Sequence, residues 1–394
     1  MDSSPDKLLV CFHSHVSNLQ RLQIHQHIGA TLIDKIPELN VHIVSIKPDQ
    51  MEVSLDRYSA WNEVEYAEPN RIAKATINPD PNFSIDPLFP LEWGQFKIQT
   101  PQAWSEISLK VLNSNLSHNR EVPSKTKSSV VIAVLDSGID IKHPALSKKI
   151  VLNKNFSNSP TVDDLIGHGT HVAGIINAIA TNGNLGAVGT FNAVELMNVK
   201  VLGDNGQGSF YDTSKGIIYA TNNGAKVINM SLSTTQANET IHRAVQYASK
   251  KRVVLVASAG NYKTTRKHYP SAFREVISVA AIDQNDKRAG FSNYGKSWVD
   301  VAAPGVSIWS TLPTHTNSTR RRNYGALSGT SQASAFVSGL AGLILAITPN
   351  TKVNIRHIIE SNTDPISGHG TLFRYGRINA FKAAKWVIIQ QKRK

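Results

Sequence analysis

"SVVIAVLDSG", residues 129–138, is an unbroken apolar run that stops abruptly at Asp-Ser-Gly. A strand with one wet face alternates apolar and polar residues, whereas a run without alternation belongs to a strand covered on both faces. Four further runs share the pattern: "ELMNVKVL" (195–202), "AKVINMSL" (225–232), "RVVLVASAGN" (252–261) and "VISVAAID" (276–283). Most are separated by helical stretches such as "THVAGIINAIA" (170–180) and "TIHRAVQYASKK" (240–251). The alternation predicts an α/β fold: a doubly wound, mostly parallel sheet with helices on both faces. Ligands in such sheets bind beyond the carboxyl ends of the strands, and several polar motifs fall at those ends.

Upstream, residues 7–75 carry a different pattern. "KLLVCFH" and "VHIVSI" read as strands, "SNLQRLQIHQHIG" and "SLDRYSAWNEV" as helices, and "NRIAKA" (70–75) as an extended end. Residues 1–75 are therefore expected to form a small α+β module of two helices on an antiparallel sheet. "TINPDPNFSIDPLFPLEWGQ" (76–95) is rich in Pro, Asp and Asn and reads as an extended linker, so 76–104 comprises that linker and the start of the main body. That body is 105–394, with the polar, basic stretch 105–129 as a surface insertion.

The chain has 394 residues, 41% hydrophobic and 18% charged, which is a globular composition. No apolar run is expected to approach the length needed to span a bilayer, and the five apolar residues near the N-terminus are too few for a secretory signal. The single cysteine, Cys11, excludes an internal disulfide and reads as a small buried residue of a strand. Net charge is +13, with −3 on residues 1–75 and +16 on the remainder. No zinc spacing, recognition helix or aromatic-basic interleaving accompanies that charge, so it reads as a solvated surface rather than a nucleic-acid site.

The candidate chemistry sits at strand ends and helix starts. "DSGID" places Asp136 where the first strand leaves the sheet. "GHGTHVAG" (167–174) places His168 between glycines at the mouth of a helix. His171 follows, but no Glu stands between the two histidines and no third ligand is evident, so a structural His171 is the better reading than a metal pair. "ASAGN" ends a strand at Asn261, and "LSGTSQASAFVSG" (327–339) sets Ser331 at the entrance of the apolar helix "LAGLILAI".

Taken in order, these motifs resemble the subtilisin-like serine proteases, and most nearly their thermitase-like branch; the likeness covers nearly the whole chain. The resemblance implies Ser331 as nucleophile, His168 as base, Asp136 as the carboxylate that orients it, and Asn261 with the Ser331 N–H as oxyanion donors. It also implies that polypeptide substrates lie as an added strand between "GQG" (Gly206, Gln207, Gly208) and "SLS" (Ser231, Leu232, Ser233), with the glycines letting backbones approach. Residues 7–75 resemble the family's inhibitory propeptides, which implies a self-cleaving zymogen, inhibited by its own N-terminal module and cut near Ala75. A monomer is expected. Family resemblance implies secretion, while the N-terminus leaves a cytoplasmic site open.

Several positions depart from the family pattern. Gln332-Ala333-Ser334-Ala335-Phe336 replaces Met-Ala-x-Pro-His, and a thioether's absence beside the nucleophile predicts peroxide resistance. Ser233 adds a side chain to the specificity pocket and His268 is expected near its base, which disfavours bulky aromatic residues before the cut. "HPAL" (143–146) has Ala145 where the family's tight structural calcium takes an aspartate, and Gly183 stands where another ligand would align. No cofactor is expected to be required; a structural calcium is left open, but the tight family site is expected to be lost. The five N-terminal histidines, His13, His15, His25, His27 and His42, read as surface residues against a role in pH-triggered release. Rival functions are a catalytically silent binding protein on the same scaffold, or a narrowly specific processing enzyme aided by basic segments such as "TRRRN" (319–323).

Overall fold

The computed structural model describes residues 3–75, 92–107, 130–177, 194–348 and 353–392. The N-terminal module is an antiparallel sheet in the order β4-β1-β3-β2, built from β1 (Ser3–Phe12), β2 (Thr31–Ile36), β3 (Val41–Ser45) and β4 (Val64–Ala75). Helices α1 (Asn18–Ile28) and α2 (Met51–Ser59) cover one face, closing a core that includes Leu8, Val10, Phe12, Ile24, Val44 and Tyr58. Ser17 caps α1 through a reciprocal pair with Gln20, and Gly29 ends it at φ 82°, a left-handed position that glycine takes without strain. The other face, with Leu9, Cys11, Val41 and Ile43, is buried against helices of the main body. β2 was not anticipated: it is a short edge strand, mostly exposed, and its polar residues hide the alternation.

The main sheet has seven strands in the order β13-β12-β11-β9-β5-β7-β6, and every pairing is parallel. The strands are β5 (Val130–Asp136), β6 (Ile150–Asn155), β7 (Val194–Lys200), β9 (Val227–Met230), β11 (Val254–Ser258), β12 (Val276–Ile282) and β13 (Val301–Pro304). The five predicted apolar runs are its five inner strands; β6 and β13 are the edges, and the polar β6 gave no apolar signal. On one face lie α4 (His168–Asn177), α7 (Thr330–Ile347), α8 (Ile355–Ser361) and α9 (Ala380–Lys392). On the other lie α5 (Phe210–Asn222) and α6 (Glu239–Lys250). Two short strands, β8 (Gln207–Ser209) and β10 (Leu232–Ser233), join the N-terminal sheet instead, and β14 (Ile308–Thr311) pairs with β15 (Tyr324–Leu327) as a hairpin.

Three expectations need correction. Residues 92–107 do not continue as a linker: α3 (Trp93–Lys97) docks on the body, with Trp93 Nε1 donating to Val306 O at 3.1 Å and Gly94 against the Phe336 ring. Residues 105–107 are helical and Ile107 is buried, so the surface insertion does not begin at 105; residues 108–129 lie outside the described part. Finally, α7 is long and apolar enough by composition to cross a bilayer, but 83% of it is buried inside the fold.

Two of the five N-terminal histidines are not surface residues. His25 and His42 are 2% and 3% exposed, and their rings are linked, His25 Nε2 to His42 Nδ1, at 3.0 Å. Tyr58 Oη stands 2.7 Å from His25 Nδ1, so a hydroxyl donating there assigns the N–H of His25 to His42. Burial pushes both imidazoles down to about 4; for His25 the neighbouring His42 adds to this, and for His42 the Arg21 and Lys35 charges do. Because the unfolded histidines bind protons near pH 6.5 and the folded ones near 4, stability is complete above pH 6.5, falls as pH drops from 6.5 to 4, and changes no further below. On that basis the module of an uncleaved Ser331→Ala chain should lose on the order of 3 kcal/mol for each of the two imidazoles over that interval. Hydrogen exchange of β1 and β3 as a function of pH would read this out, and protection unchanged down to pH 4 would contradict it.

Candidate active site

The site is assembled where three strands of the main sheet end and two helices begin. β5 ends at Asp136, whose Oδ1 accepts from the Ser137 N–H at 2.7 Å and from His168 Nδ1 at 2.7 Å. His168 is the first residue of α4 and is fully buried. Burial alone would push the imidazole down; the Asp136 carboxylate outweighs it, helped by Asp164, and holds the pKa above the ordinary histidine value. Its other nitrogen, Nε2, is buried without a hydrogen-bond partner among the described residues. A neutral imidazole held in this way presents a proton acceptor into a dry site.

Ser331 is the second residue of α7 and is fully buried; its Oγ lies 3.4 Å from the Ser231 carbonyl oxygen. The first turns of α4 and α7 meet, since Gln332 Nε2 comes within 3.4 Å of His171 Nδ1. His171 itself is structural in its contacts: Nε2 stands 3.1 Å from Gly325 O, and burial pushes its pKa down to about 3. Asn261 follows β11. Its Oδ1 accepts from the Thr330 N–H at 3.0 Å and the Thr330 hydroxyl at 2.8 Å, so the amide's acceptor end is fixed and its donor end faces away from Thr330. Gly260 makes that turn, at φ +101°, where a side chain would be strained and would meet Asn293 Nδ2 at 2.5 Å.

The small residues of α7 serve packing as well as access. Ser231 Oγ accepts from Asn229 Nδ2 at 2.8 Å and pairs with Ser334 Oγ at 3.1 Å, while Ser338 donates to Asn229 Oδ1 at 2.9 Å. This ladder of short polar side chains lets α7 lie directly on β9. The proposed reason for the glycines of 206–208 changes. Gly206 has φ +72° with open space around it, and a Cβ on Gly208 would collide with the Val201 carbonyl beneath, so both answer to the local backbone rather than to an incoming chain.

Between those two segments lies the end of the N-terminal module. β4 pairs antiparallel with β8, matching Ile72 with Ser209, Ala73 with Gly208 and Lys74 with Gln207. It also pairs antiparallel with β10, matching Ala75 with Leu232 and Lys74 with Ser233, and the Ala75 N–H donates to Gly206 O at 3.0 Å. The chain thus holds its own segment as the middle strand of three, pointed at Ser231 and Ser331.

Sequence reasoning missed several residues that shape the site. Asp164 is fully buried and accepts from Ser137 Oγ, from the Ile166, Gly167 and Thr170 N–H groups, and from Thr170 Oγ1, at 2.7–3.1 Å. Lys200, also fully buried, donates to Ser137 O at 2.5 Å, Asp163 O at 2.8 Å and Asp204 Oδ1 at 2.9 Å. Together they fasten the turn after Asp136 to the segment ahead of His168. The four-residue spacing from Asp164 to His168 was the available signal; a lysine inside an apolar run gave none.

A cleft that seats an extended backbone beside a helix-start serine and a carboxylate-braced imidazole defines a class: a serine peptidase with its own N-terminal segment in the cleft. Comparison with known proteins agrees. Residues 127–377 match the subtilase family (peptidase S8), and residues 4–70 match the fervidolysin N-terminal prodomain. The thermophilic serine proteinase of Bacillus sp. (strain AK1) is 35% identical over 381 residues, 96% of this chain and 87% of that one. Thermitase of Thermoactinomyces vulgaris is 42% identical over 303 residues, 76% of this chain and 99% of that one. Fervidolysin from Fervidobacterium pennivorans, a keratinolytic enzyme related to subtilisin, superposes with a TM-score of 0.78 at 25% identity, covering 98% of this chain and 61% of that structure. The chain belongs to the subtilase family of serine proteases and carries a prodomain of the fervidolysin type.

The prodomain is held by more than its tail. Glu68 accepts from the Glu239 and Thr240 N–H groups at 3.0 and 2.9 Å and from Thr240 Oγ1 at 2.7 Å, capping the start of α6. Arg243 grips Glu65 through both Nη atoms, at 2.8 and 2.5 Å. Substituting Glu68→Ala leaves the N-terminal donors of α6 without their acceptor and should weaken prodomain inhibition, added in trans to the mature enzyme, by roughly 10- to 100-fold in Ki. An unchanged Ki would show that the cap does not contribute to docking.

Proposed function

We propose that the protein is a self-cleaving zymogen of a serine endopeptidase, with Ser331 as nucleophile, His168 as general base, Asp136 as the orienting carboxylate and Asn261 as an oxyanion donor. The observation that carries this reading is the seating of residues 72–75 between 207–209 and 232–233, which is how a product strand would lie. Ser331 Oγ attacks the scissile carbonyl carbon as its proton passes to His168 Nε2. The resulting imidazolium is stabilised by Asp136, and the oxyanion by the Asn261 amide and the start of α7. Collapse expels the amine, which takes the proton from His168, and leaves an ester on Ser331 that water hydrolyses by the same proton path.

The described strand ends at Ala75, paired with Leu232, the residue after Ser231, which supports a cut near Ala75. Intact-mass analysis should find the active chain starting close after Ala75 and the Ser331→Ala chain uncut; a Ser331→Ala chain cut at the same bond would remove Ser331 from the mechanism. For the processed enzyme on a peptide substrate, Asp136→Asn should lower kcat by about 10⁴-fold and Asn261→Ala by about 10²- to 10³-fold with little change in KM. The acid limb of kcat/KM should lie above pH 6.5, because His168 must be neutral to act and Asp136 holds its pKa up.

The specificity pocket is read from 231–234 and 258–261, joined by 268–270. The Thr234 and Tyr269 backbones exchange two hydrogen bonds, at 3.0 and 2.8 Å. Buried His268 lies below the Gly260 turn, stacked on Tyr262 at 4.9 Å. Ser233 is 4% exposed. This crowding supports small side chains over Phe or Tyr before the cut.

Residues 143–146 do not fit a tight calcium. Ala145 is fully buried in the apolar core, with its N–H 3.2 Å from His143 Nδ1, and it supplies no side-chain oxygen. Gly183 lies outside the described residues. The melting temperature should therefore be the same in EDTA as in calcium, and a large fall in EDTA would overturn the reading. Action on polypeptides in a secreted, monomeric form completes the proposal, and its support is the family.

A further inference from the structure

We propose that the loop between β14 and β15 is a specificity element that selects acidic side chains on the leaving-group side of the scissile bond. The inference rests on the peptidase reading above. The loop is closed at its base by the Leu312 N–H donating to Asn323 O at 2.7 Å and the Asn323 N–H donating to Pro313 O at 3.1 Å. It does not extend freely into solvent. The Thr314 N–H and Oγ1 both donate to Asp140 Oδ2, at 2.8 and 2.7 Å. His315 Nε2 is 3.0 Å from Asp163 Oδ2, and the Ser318 N–H donates to Leu165 O at 3.0 Å. Inside the loop, buried Asn317 braces the turn by donating to His315 O at 3.0 Å and Arg321 O at 2.7 Å. The Thr319 methyl and Asn317 side chain lie over Gly167, the residue before His168.

These tethers lay the loop along 163–167, beside the base and at the entry of the hairpin that leads to Ser331. What it presents there is Arg320, Arg321 and Arg322, all exposed. Arg322 donates to Thr316 Oγ1 at 2.7 Å and Arg321 to Ala326 O at 3.2 Å, and among the described residues none of the three forms an ion pair with a carboxylate. The two acids that tether the loop are already engaged, Asp140 by Thr314 and the Lys142 N–H, and Asp163 by His315. Three guanidinium groups without a counter-charge make a positive rim.

The prodomain strand shows which side of the cut this rim serves. Residues N-terminal to the cut run between 207–209 and 232–233, walls that the loop's tethers do not include. The chain beyond the cut must leave past His168, and the loop covers Gly167, the residue before it. A substrate with Asp or Glu in the first few positions after the cut meets the arginines there. Exposed pairs are individually weak and screened by salt, so the selection is moderate, roughly 3- to 10-fold at low ionic strength.

The test uses processed enzyme and three peptides identical before the cut, carrying two Asp, two Asn or two Lys after it. The Asp peptide should be cleaved roughly 3- to 10-fold more efficiently than the Asn peptide, the Lys peptide least, and the differences should collapse in about 0.5 M salt. In the double variant Arg320→Glu, Arg322→Glu the order should reverse while the Asn peptide keeps its rate, which also reports an intact fold. The neutral double variant Arg320→Gln, Arg322→Gln should cut all three alike. Equal rates for the three peptides in wild type, or a preference unmoved in both variants, would overturn the proposal. Failure to cut any peptide would instead remove the peptidase reading on which it rests.

Discussion

The contact on which the site depends is the 2.7 Å hydrogen bond between Asp136 and His168, two side chains with almost no exposure. Burial opposes a charged imidazole, and the charge and hydrogen bond of Asp136, with the charge of Asp164, outweigh it. The strand delivers it, the Ser137 N–H holds one of its oxygens, and Lys200 pins the turn that follows. Asp164 fixes the approach to His168 from the other side. The geometry of one hydrogen bond therefore draws on β5, β7 and the 163–167 segment, and a change in any of them would be felt at the imidazole before it was felt in the fold.

The second constraint is the completion of a sheet. β8 and β10 are three and two residues long and do not pair with each other; each pairs with β4. Backbone donors and acceptors at the rims of the cleft are satisfied by the prodomain's last strand, as a substrate strand would satisfy them. On the proposed reading, inhibition and substrate binding are the same event seen from two ends of the chain. The tail differs from a substrate chiefly in the folded module that anchors it through Glu68, Glu65 and Asp34, the last pairing with Lys215 at 2.5 Å.

The inner strands of the sheet and the placement of the candidate residues at strand ends and helix starts could be read because burial on both faces leaves uninterrupted apolar runs, and because polar groups collect where those runs end. Asp136, His168, Asn261 and Ser331 all met that description. What could not be read was set by contacts distant in sequence. β6 and β2 are polar edges, and β14 and β15 form by pairing with each other rather than by pattern. The short helix at Trp93–Lys97 exists because Trp93 and Gly94 dock on Val306 and Phe336, in a stretch whose prolines argued for a linker. Lys200 and the His25–His42 pair show the limit most sharply. A charged or titratable residue looks like surface in a sequence unless its partners are known, and those partners lie on other elements.

That pair also bears on how the prodomain is held together. Its sheet is buried on both sides, by α1 and α2 on one and by α5 and α6 of the catalytic body on the other. The face formed by Leu9, Val41 and Ile43 has no cover of its own, so release from the body returns apolar surface to water, at roughly 25 cal/mol per Å². A module of about seventy residues has little stability in reserve against such a loss. The prodomain is therefore most stable while docked, and the buried imidazoles lie in the half of its core that stays closed after undocking. Acidification would act on the half that must survive alone, which ties the persistence of the free inhibitor to pH through its fold rather than through its interface.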